Sequence, residues 1–353
     1  MSNTPRLLVL NSSCLEVVED HRVWIEAEGV QLLAEQAFRH LNPEQAAALL
    51  RDADAVILPA ASLMPLNGSH LAGAPRLLVC SIAASGYEWF DIEAATQHGI
   101  VVSIAAGGEG AEVVADLTWG LMLAVARQIP YRHQLICEGK DQRGMGTSVF
   151  GKTLGIIGLG NIGRAVVRRA RGFNMRILAS DPHPDEAFVC EHGVQLVPQD
   201  ELLEQADFVS LHLRLCEATS GILGRRELLR MKPTAYLLNT ARKGLVDEEA
   251  LVAAILEKRI AGAGLDDPPG GPGKKLLGLP NVVFTPHLGN RAIEGVHGVL
   301  RLAVENALAV LHGQRPRFLV NPEVYQGRLR RNPWLAEDSN QPLQLPPKTQ
   351  TIL

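Results

Sequence analysis

The sequence predicts an α/β protein built from two doubly wound domains, each with a parallel sheet. Three observations indicate this fold class. The chain has 353 residues, whereas a typical domain has about 150. Short, wholly apolar runs alternate with helical patterns, as in parallel sheets covered by helices on both faces. The alternation occurs as two series separated by a long helical stretch, so we expect two domains.

The first series lies in the N-terminal part of the chain. A residue of N-cap type, Asn42, predicts a helix that continues to Leu50. Four apolar runs predict buried strands, at Leu7–Leu10, Ala55–Leu58, Leu77–Cys80 and Val101–Ile104. Strands and helices that alternate in this way predict a first parallel sheet.

The second series begins after a long apolar helix predicted over Glu112–Arg127, which fits a core helix and an interdomain or subunit contact equally well. A strand at Thr153–Gly158 is followed by a glycine turn and a helix to Gly172, and the next strand is predicted at Arg176–Ser180. Further units continue to Phe284, and a last long helix is predicted over Arg291–His312. These elements predict a second doubly wound sheet.

Composition and charge narrow the class of function. Apolar residues make up 46% of the chain and charged residues 20%, which is typical of globular proteins. The net charge of −4 leaves no basic excess for a nucleic acid, so a small-molecule partner is expected. Five cysteines without a C-x-x-C pair suggest neither disulfides nor a metal site, which favours a reducing cytoplasm. Neither a signal peptide nor an apolar run of about 20 residues is recognisable, so no membrane association is expected.

A dinucleotide-binding pattern is the strongest local signal. Gly158-Leu159-Gly160-Asn161-Ile162-Gly163 fits G-x-G-x-x-G, which carries little weight alone. Here an apolar strand precedes it and a helix follows it, so the glycines stand where a pyrophosphate would reach a helix N-terminus. The sequence therefore predicts a Rossmann domain with Gly158, Gly160, Asn161 and Ile162 at the cofactor.

Asp181 closes the next predicted strand, at the distance where an acidic residue binds the ribose hydroxyls. Its carboxylate would repel a 2′-phosphate, and Pro182 and His183 follow it instead of an arginine, so NAD is favoured over NADP. Two alternatives remain at this point. Asp181 could simply cap its loop before a proline, and an S-adenosylmethionine-binding domain could share these features.

The motifs after the fingerprint give the chain a family resemblance. Together with G-K-T-L-G-I-I-G before the fingerprint they closely resemble the D-2-hydroxyacid dehydrogenases, which include phosphoglycerate dehydrogenases and glyoxylate/hydroxypyruvate reductases. The resemblance covers roughly Leu77 to Pro322. Its motifs are Leu211-His212-Leu213, Asn239-Thr240-Ala241-Arg242-Lys243-Gly244, Gly264-Leu265-Asp266 and Thr285-Pro286-His287.

The resemblance implies the roles of individual residues. Arg242 would bind the substrate carboxylate through its planar guanidinium, and His287 would be the acid and base that exchanges a proton with the substrate oxygen. Backbone N–H groups of Ala84, Ser85 and Gly86 would also receive the carboxylate. Further cofactor contacts are implied for His212, Thr240, Ala241 and Asp266.

The resemblance also implies an organisation of the chain. Residues 1–104 with 290–330 would form a flavodoxin-like substrate domain, and residues 105–289 the larger NAD-binding domain, with the chemistry between them. A homodimer through the Glu112–Arg127 region is expected. The last stretch, 331–353, is rich in Pro, Gln and polar residues, which predicts an arm or a disordered tail.

One position departs from the family pattern. The family's catalytic glutamate stands five residues after the aspartate at Asp266, before a proline, but here Gly271 precedes Pro272. Without a carboxylate the imidazole of His287 would hold its proton less firmly. Three interpretations remain: another acid, such as Asp267, Glu109 or Glu112, replaces it; His287 acts unassisted; or the protein binds NAD(H) with little turnover, as corepressor relatives suggest.

The sequence thus predicts an NAD-dependent oxidoreductase that interconverts a 2-keto acid and a D-2-hydroxy acid. The alternative is an NAD(H)-binding regulatory protein. No metal is expected in either case.

Overall fold

The computed structural model describes residues 4–10, 12–34, 43–58, 66 and 68–327. The proposed N-cap Asn42 and the predicted tail 331–353 lie outside these residues. The chain divides into two compact units: unit 1 comprises Met1–Ala106 with Val296–Leu353, and unit 2 comprises Gly107–Gly295.

The elements of the chain alternate as predicted. The strands are β1 Arg6–Val9, β2 Gln31–Ala34, β3 Ala55–Leu58, β4 Val79–Ile82, β5 Val101–Ile104, β6 Thr153–Ile157, β7 Arg176–Ser180, β8 Gln195–Leu196, β9 Phe208–Leu211, β10 Tyr236–Asn239, β11 Gly262–Leu265 and β12 Val282–Phe284. The helices are α1 Ser12–Leu15, α2 Val18–Ala27, α3 Pro43–Arg51, α4 Gly68–Ala72, α5 Ile92–Gln97, α6 Gly108–Arg127, α7 Ile129–Cys137, α8 Asn161–Ala170, α9 Glu186–His192, α10 Gln199–Gln205, α11 Arg225–Arg230, α12 Glu248–Leu256, α13 Ile293–Leu311 and α14 Val324–Gly327. Short 3₁₀ turns occupy Arg171–Phe173, Lys243–Leu245 and Pro272–Leu276.

Unit 1 contains a five-stranded parallel sheet in the order β2-β1-β3-β4-β5. Successive strand residues point to opposite faces. Leu7 and Val9 therefore pack with the buried face of α13, whereas Leu8 and Leu10 pack in the cluster on the other face. Because both faces are covered, the strands are largely apolar, and four of the five were predicted as apolar runs. Strand β2, which begins at the exposed Gln31, was not predicted.

Unit 2 contains a seven-stranded parallel sheet in the order β12-β11-β10-β9-β6-β7-β8. One face packs with Trp119, Met122 and Val125 of α6, and the other carries the cluster that includes Leu251 and Ile255 of α12. The order reverses direction beside β6, and ligands of such sheets bind at the carboxyl ends of the strands near this switch point. The prediction of two doubly wound parallel-sheet domains is confirmed.

Strand β4 differs from its prediction in position. The structure has it at Val79–Ile82, two residues later than the predicted Leu77–Cys80. The apolar run stops before Ser81. The Ser81 side chain is nevertheless fully buried, and its hydroxyl forms a hydrogen bond of 3.1 Å with the Ser103 hydroxyl. A satisfied buried hydroxyl costs little, so the strand continues through a residue that polarity alone would exclude.

Helix α6 packs inside unit 2. Its residues contact α8, β10 and β11, and the Trp119 indole N–H donates to the carbonyl oxygen of Val166 at 3.2 Å while its ring stacks on Phe173. Of the two interpretations of its apolar sequence, these contacts support the core helix. Among the helices of the described residues, none has the length and apolar character needed to cross a membrane.

Candidate active site

The glycine pattern forms the turn between β6 and α8. Gly158 has a φ of 95°, and a Cβ atom there would lie 2.7 Å from the carbonyl oxygen of His212. A Cβ atom at Gly163 would lie 2.2 Å from the carbonyl oxygen of Gly158. Both positions therefore require glycine, because any side chain would push apart the strand, the turn and the helix.

Gly160 differs from these two glycines, since a Cβ atom there would meet nothing within 4 Å. It precedes Asn161, the first residue of α8, where backbone N–H groups lack helical partners. Open space at the N-terminus of a helix fits a pyrophosphate, which needs close approach and N–H donors. Asn161 and Ile162 lie in this first turn, so the predicted cofactor residues of the turn are brought together.

Asp181 follows β7 and reaches back to the glycine turn. One carboxylate oxygen accepts from the Leu159 N–H at 2.6 Å, and the other accepts from the His183 N–H at 2.8 Å. The side chain thus stabilises the turn whatever else it binds, and it places a negative charge there. Such a charge suits ribose hydroxyls and disfavours a 2′-phosphate.

His212 lies beyond β9, with its backbone against Gly158. Its Nε2 hydrogen bonds the buried Ser210 hydroxyl at 2.8 Å. Burial lowers the pKa of this imidazole to about 3, so His212 is neutral near pH 7 and supplies no charge to a nucleotide.

The loop after β10 carries Arg242 and is held by Asn239. The Asn239 side chain donates to the Arg242 carbonyl oxygen at 2.8 Å and accepts from the Ala241 N–H at 3.1 Å. The Arg242 guanidinium donates to the Ala241 carbonyl oxygen at 2.8 Å. An asparagine that satisfies the backbone of its own loop fixes that loop's path, so Asn239 positions Arg242.

Thr240, in the same loop, is buried. Its hydroxyl lies 2.8 Å from that of Thr118 on α6, which in turn donates to the Val114 carbonyl oxygen at 2.9 Å. This contact ties the loop to the long helix of unit 2.

Asp266 follows β11 and organises the loop that carries His287. It is buried, and one oxygen accepts from the Thr285 hydroxyl at 2.5 Å and from the Leu288 N–H at 2.7 Å. The other oxygen accepts from the Gly289 N–H at 2.8 Å. His287 itself has a φ of 57°, an uncommon conformation for a residue with a side chain. The carboxylate of Asp266 therefore holds a strained turn in place.

Asp267, the next residue, contacts the imidazole directly. Its Oδ1 lies 2.9 Å from Nδ1 of His287, and its Oδ2 accepts from the Lys243 N–H at 2.8 Å. One carboxylate thus links the loop that carries Arg242 to the loop that carries His287. Both loops follow strands of the same parallel sheet, β10 and β12, with Asp267 after the strand between them.

The electrostatics of this pair favour a charged imidazole. The hydrogen bond that the imidazole donates to Asp267 raises the pKa of His287 above its ordinary value of 6.5, against the opposing effects of burial and of the positive charge of Arg242. Burial alone would raise the pKa of Asp267, but the His287 hydrogen bond and charge, the Lys243 N–H and the Arg242 charge together lower it. Asp267 is therefore an anion, and His287 holds its proton more firmly than a free imidazole.

The carboxylate partner of His287 does not stand at the position of the missing glutamate. Gly271 is exposed, at the start of a 3₁₀ turn, and a Cβ atom there would meet nothing within 4 Å. Two of the proposed substitutes lie elsewhere. Glu112 is paired with Arg168 and with Arg169, the latter at 2.7 Å, and Glu109 is exposed on the first turn of α6 without an ion pair among the described residues. The hydrogen bond to Asp267 also argues against an unassisted imidazole.

The predicted carboxylate loop follows β4 in unit 1. Ala84 and Gly86 are buried and Ser85 is exposed. The Ala84 N–H donates to the Ile82 carbonyl oxygen at 2.8 Å, and the Ala84 carbonyl oxygen accepts from the Ala105 N–H at 3.0 Å. The Ala84 N–H is thus already engaged, while the small side chains keep the loop tight against β5.

Sequence reasoning gave no role to two residues at this edge of the sheet. Asn239 closes its strand, and a polar residue there was the available signal. Glu248 starts α12 and accepts a hydrogen bond from the Gly270 N–H at 2.6 Å. A glutamate in the first turn of a helix is common for electrostatic reasons, so nothing in the sequence pointed to this contact.

Comparison with known proteins agrees with this geometry. Residues 119–289 match the family model described as "D-isomer specific 2-hydroxyacid dehydrogenase, NAD binding domain". A glyoxylate reductase of Korarchaeum cryptofilum is 40% identical over 290 residues, which are 79% of this chain and 86% of that protein. A D-3-phosphoglycerate dehydrogenase of Methanocaldococcus jannaschii is 37% identical over 84% of this chain and 58% of its own length.

A solved structure supports the same assignment. The TT0316 protein of Thermus thermophilus superposes with a TM-score of 0.74 at 34% identity, covering 89% of this chain and 99% of that one. The predicted family, enzyme class and cofactor are confirmed. The chain belongs to the D-isomer specific 2-hydroxyacid dehydrogenases, NAD-dependent oxidoreductases that act on the CH–OH group of 2-hydroxy acids.

Proposed function

We propose that this protein interconverts a small 2-keto acid and the corresponding D-2-hydroxy acid, with His287 as the acid and base and Arg242 as the ligand of the substrate carboxylate. The observation that carries the proposal is the 2.9 Å hydrogen bond between Asp267 and His287, beside the loop of Arg242. It supplies the carboxylate partner that the family pattern would place at Gly271.

His287 is suited to proton transfer. Its Nδ1 is occupied by Asp267, so Nε2 is the nitrogen that exchanges a proton with the substrate oxygen. Asp267 fixes the ring and its tautomer, as a carboxylate does in other acid–base pairs. In reduction, protonated His287 donates to the oxygen as negative charge develops on it, and in oxidation neutral His287 accepts that proton.

Arg242 would bind the carboxylate in two-point fashion, since a guanidinium is planar and keeps its charge. Asn239 holds the backbone from which Arg242 projects. A bound carboxylate would also offset the repulsion between Arg242 and protonated His287.

NAD(H) would be held by Gly158, Gly160, Asn161 and Ile162 at the turn and by Asp181 at the ribose. His212, Thr240, Ala241 and Asp266 would make further contacts with the cofactor. NAD(H) supplies or accepts the hydride of the reaction. The open space at Gly160 and the donor groups of α8 support this placement.

The relatives named glyoxylate reductase support a short 2-keto acid as substrate. We propose glyoxylate or hydroxypyruvate as the substrate. Because the Ala84 N–H is engaged, the Ser85 and Gly86 N–H groups of the loop Ala84–Gly86 would be the further ligands of the carboxylate. Ser85→Pro removes one N–H donor of that loop, so a higher KM for the keto acid with an unchanged Kd for NADH would support its role.

The test is an assay of NADH oxidation with glyoxylate, hydroxypyruvate, pyruvate and a longer 2-keto acid, run beside NADH binding followed by fluorescence. Binding together with oxidation of NADH supports the proposal. Binding without oxidation on any of these acids would contradict it and would favour the NAD(H)-binding regulatory alternative.

We also propose that the protein is a homodimer and lies in the cytoplasm. The apolar residues of α6 are largely buried within unit 2, whereas on the next helix, α7, Ile129 is 54% exposed and Ile136 is 63% exposed. Exposed apolar residues support a protein contact there. Light scattering that gives the mass of one chain would contradict the dimer.

A further inference from the structure

The run Asp267-Pro268-Pro269-Gly270-Gly271-Pro272-Gly273 has a composition that cofactor binding does not explain. It begins with the carboxylate that contacts His287 and ends in a 3₁₀ turn at Pro272–Leu276. The contacts of this loop with its neighbours explain why it consists largely of prolines and glycines.

Glu248, at the start of α12, lies inside the loop. Its Oε1 accepts from the Gly270 N–H at 2.6 Å. A Cβ atom at Gly270 would lie 2.4 Å from Oε2 of Glu248, and one at Gly273 would lie 2.4 Å from Oε1. The loop can close around this carboxylate because both positions lack a side chain.

Two prolines connect the anchored Gly270 to Asp267. Each proline has a fixed φ and restricts the residue before it, so few soft torsions remain between the two points. A displacement of Gly270 is therefore passed on to Asp267 instead of being absorbed by the chain.

Packing holds the far end of this loop, where Gly273 and Leu276 are buried and the 3₁₀ turn lies against α12, but it leaves a void nearer Asp267. A cavity of about 230 Å³ lies beside it, and its lining includes Lys243, Glu248, Asp267 and Gly273. A segment of small residues next to a void makes few van der Waals contacts. Between Asp267 and the buried end of the loop, the hydrogen bond from the Gly270 N–H to Glu248 links the loop to α12.

We propose that Glu248 is a positioning residue for the acid–base pair: by holding Gly270 it sets the carboxylate of Asp267 against His287. The importance of this positioning for catalysis rests on the proposed function. The charged groups that act on His287 are Asp267, Asp266 and Arg242. Glu248 acts through the first of these, and through its hydrogen-bonding oxygen more than through its charge.

The experiment is an NMR titration of the His287 imidazole in the full chain, with its signal assigned by its loss in His287→Gln. Asp267→Asn defines the pKa without the partner. Glu248→Ala lowers the His287 pKa toward that value by about half a pH unit or more, and it shifts the falling limb of the kcat profile equally. Glu248→Gln keeps an oxygen for the Gly270 N–H and titrates like wild type, as does the matched control Glu249→Ala, a change at the neighbouring residue on α12.

Two outcomes would overturn the proposal: a folded Glu248→Ala variant in which His287 titrates as in wild type, or equal shifts in Glu248→Ala and Glu248→Gln, which would indicate a direct charge effect. If Glu248→Ala does not fold, Gly273→Ala displaces the flexible end of Glu248 from the other side. An unchanged His287 pKa in that variant would likewise contradict the idea. Because the titration needs no substrate, a protein that shows these shifts without turnover would contradict the proposed function alone.

Discussion

Two regions at the carboxyl edge of the sheet in unit 2 obey different constraints. At the glycine turn after β6, the residue type at each position follows the family pattern, because Gly158 and Gly163 sit against backbone carbonyl groups. In the region formed by the loops after β10, β11 and β12, the family's glutamate position holds Gly271, yet the imidazole of His287 still has a carboxylate partner, Asp267.

This contrast shows which structural requirements can be met by a residue at another position of the chain. A steric requirement belongs to one position, since only the absence of a Cβ atom satisfies it. An electrostatic requirement belongs to a point in space, so any carboxylate that reaches the imidazole satisfies it. The loop Pro268–Gly273 therefore differs from the family pattern in sequence while His287 keeps a carboxylate partner.

The largest expected effect comes from removing the imidazole. His287→Gln should lower kcat for keto-acid reduction by about 10²- to 10⁴-fold, the usual contribution of a general acid. The Kd of NADH, measured by fluorescence, should stay within about twofold, since the glycine turn is untouched. His312→Gln, a change at an exposed histidine of unit 1, is the control. Near-normal kcat in His287→Gln would contradict its role.

The second largest effect tests Asp267 as the carboxylate partner of His287. Asp267→Asn should lower kcat by about 10- to 100-fold and move the falling limb of the pH profile to lower pH. Reduction needs protonated His287, so activity falls as pH rises through its pKa, which lies above 6.5 in the wild type and loses its largest raising cause in the variant. The pair also contributes to stability between about pH 4 and 6.5, where Asp267 is ionised and His287 is protonated. That contribution is lost as pH rises through the raised pKa of His287 or falls through the lowered pKa of Asp267. A pH profile that does not move would contradict the pairing.

A pair of glycine variants sharpens the steric side of the comparison. Gly158→Ala should destabilise the protein by about 1–3 kcal/mol, because φ is positive and the Cβ atom would meet the His212 carbonyl group. Gly160→Ala should change stability by less than about 0.5 kcal/mol yet weaken NADH binding by about tenfold, a loss of roughly 1.4 kcal/mol. Thermal unfolding and fluorescence titration separate the two effects. If both variants lost the same stability and the same affinity for NADH, the distinction between the steric role of Gly158 and the binding role of Gly160 would be refuted.

The smallest effect concerns the choice of cofactor. Asp181→Asn removes the charge that repels a 2′-phosphate and leaves one oxygen for two N–H donors, so the preference for NADH over NADPH should fall by about tenfold, roughly 1.4 kcal/mol. The ratio of kcat/KM for the two cofactors measures it. Asp141→Asn, at an exposed carboxylate after α7, should leave that ratio unchanged. A change of the ratio in Asp141→Asn but not in Asp181→Asn would contradict the role of Asp181.

Sequence reasoning alone was enough to predict the doubly wound fold and the nucleotide turn, and it pointed to Arg242 and His287. These inferences depend on local patterns: apolar runs, glycine spacing and short motifs. It even showed that a carboxylate was absent at Gly271, and it named Asp267 among three substitutes.

The choice among Asp267, Glu109 and Glu112 required the tertiary structure, because it depends on which loop ends meet beyond the carboxyl edge of the sheet. The fold also revealed Glu248, whose contact with Gly270 spans 22 positions of the chain. The underlying cause is that hydrogen bonds between loops depend on distance and direction in space, and no local pattern in the sequence encodes either quantity.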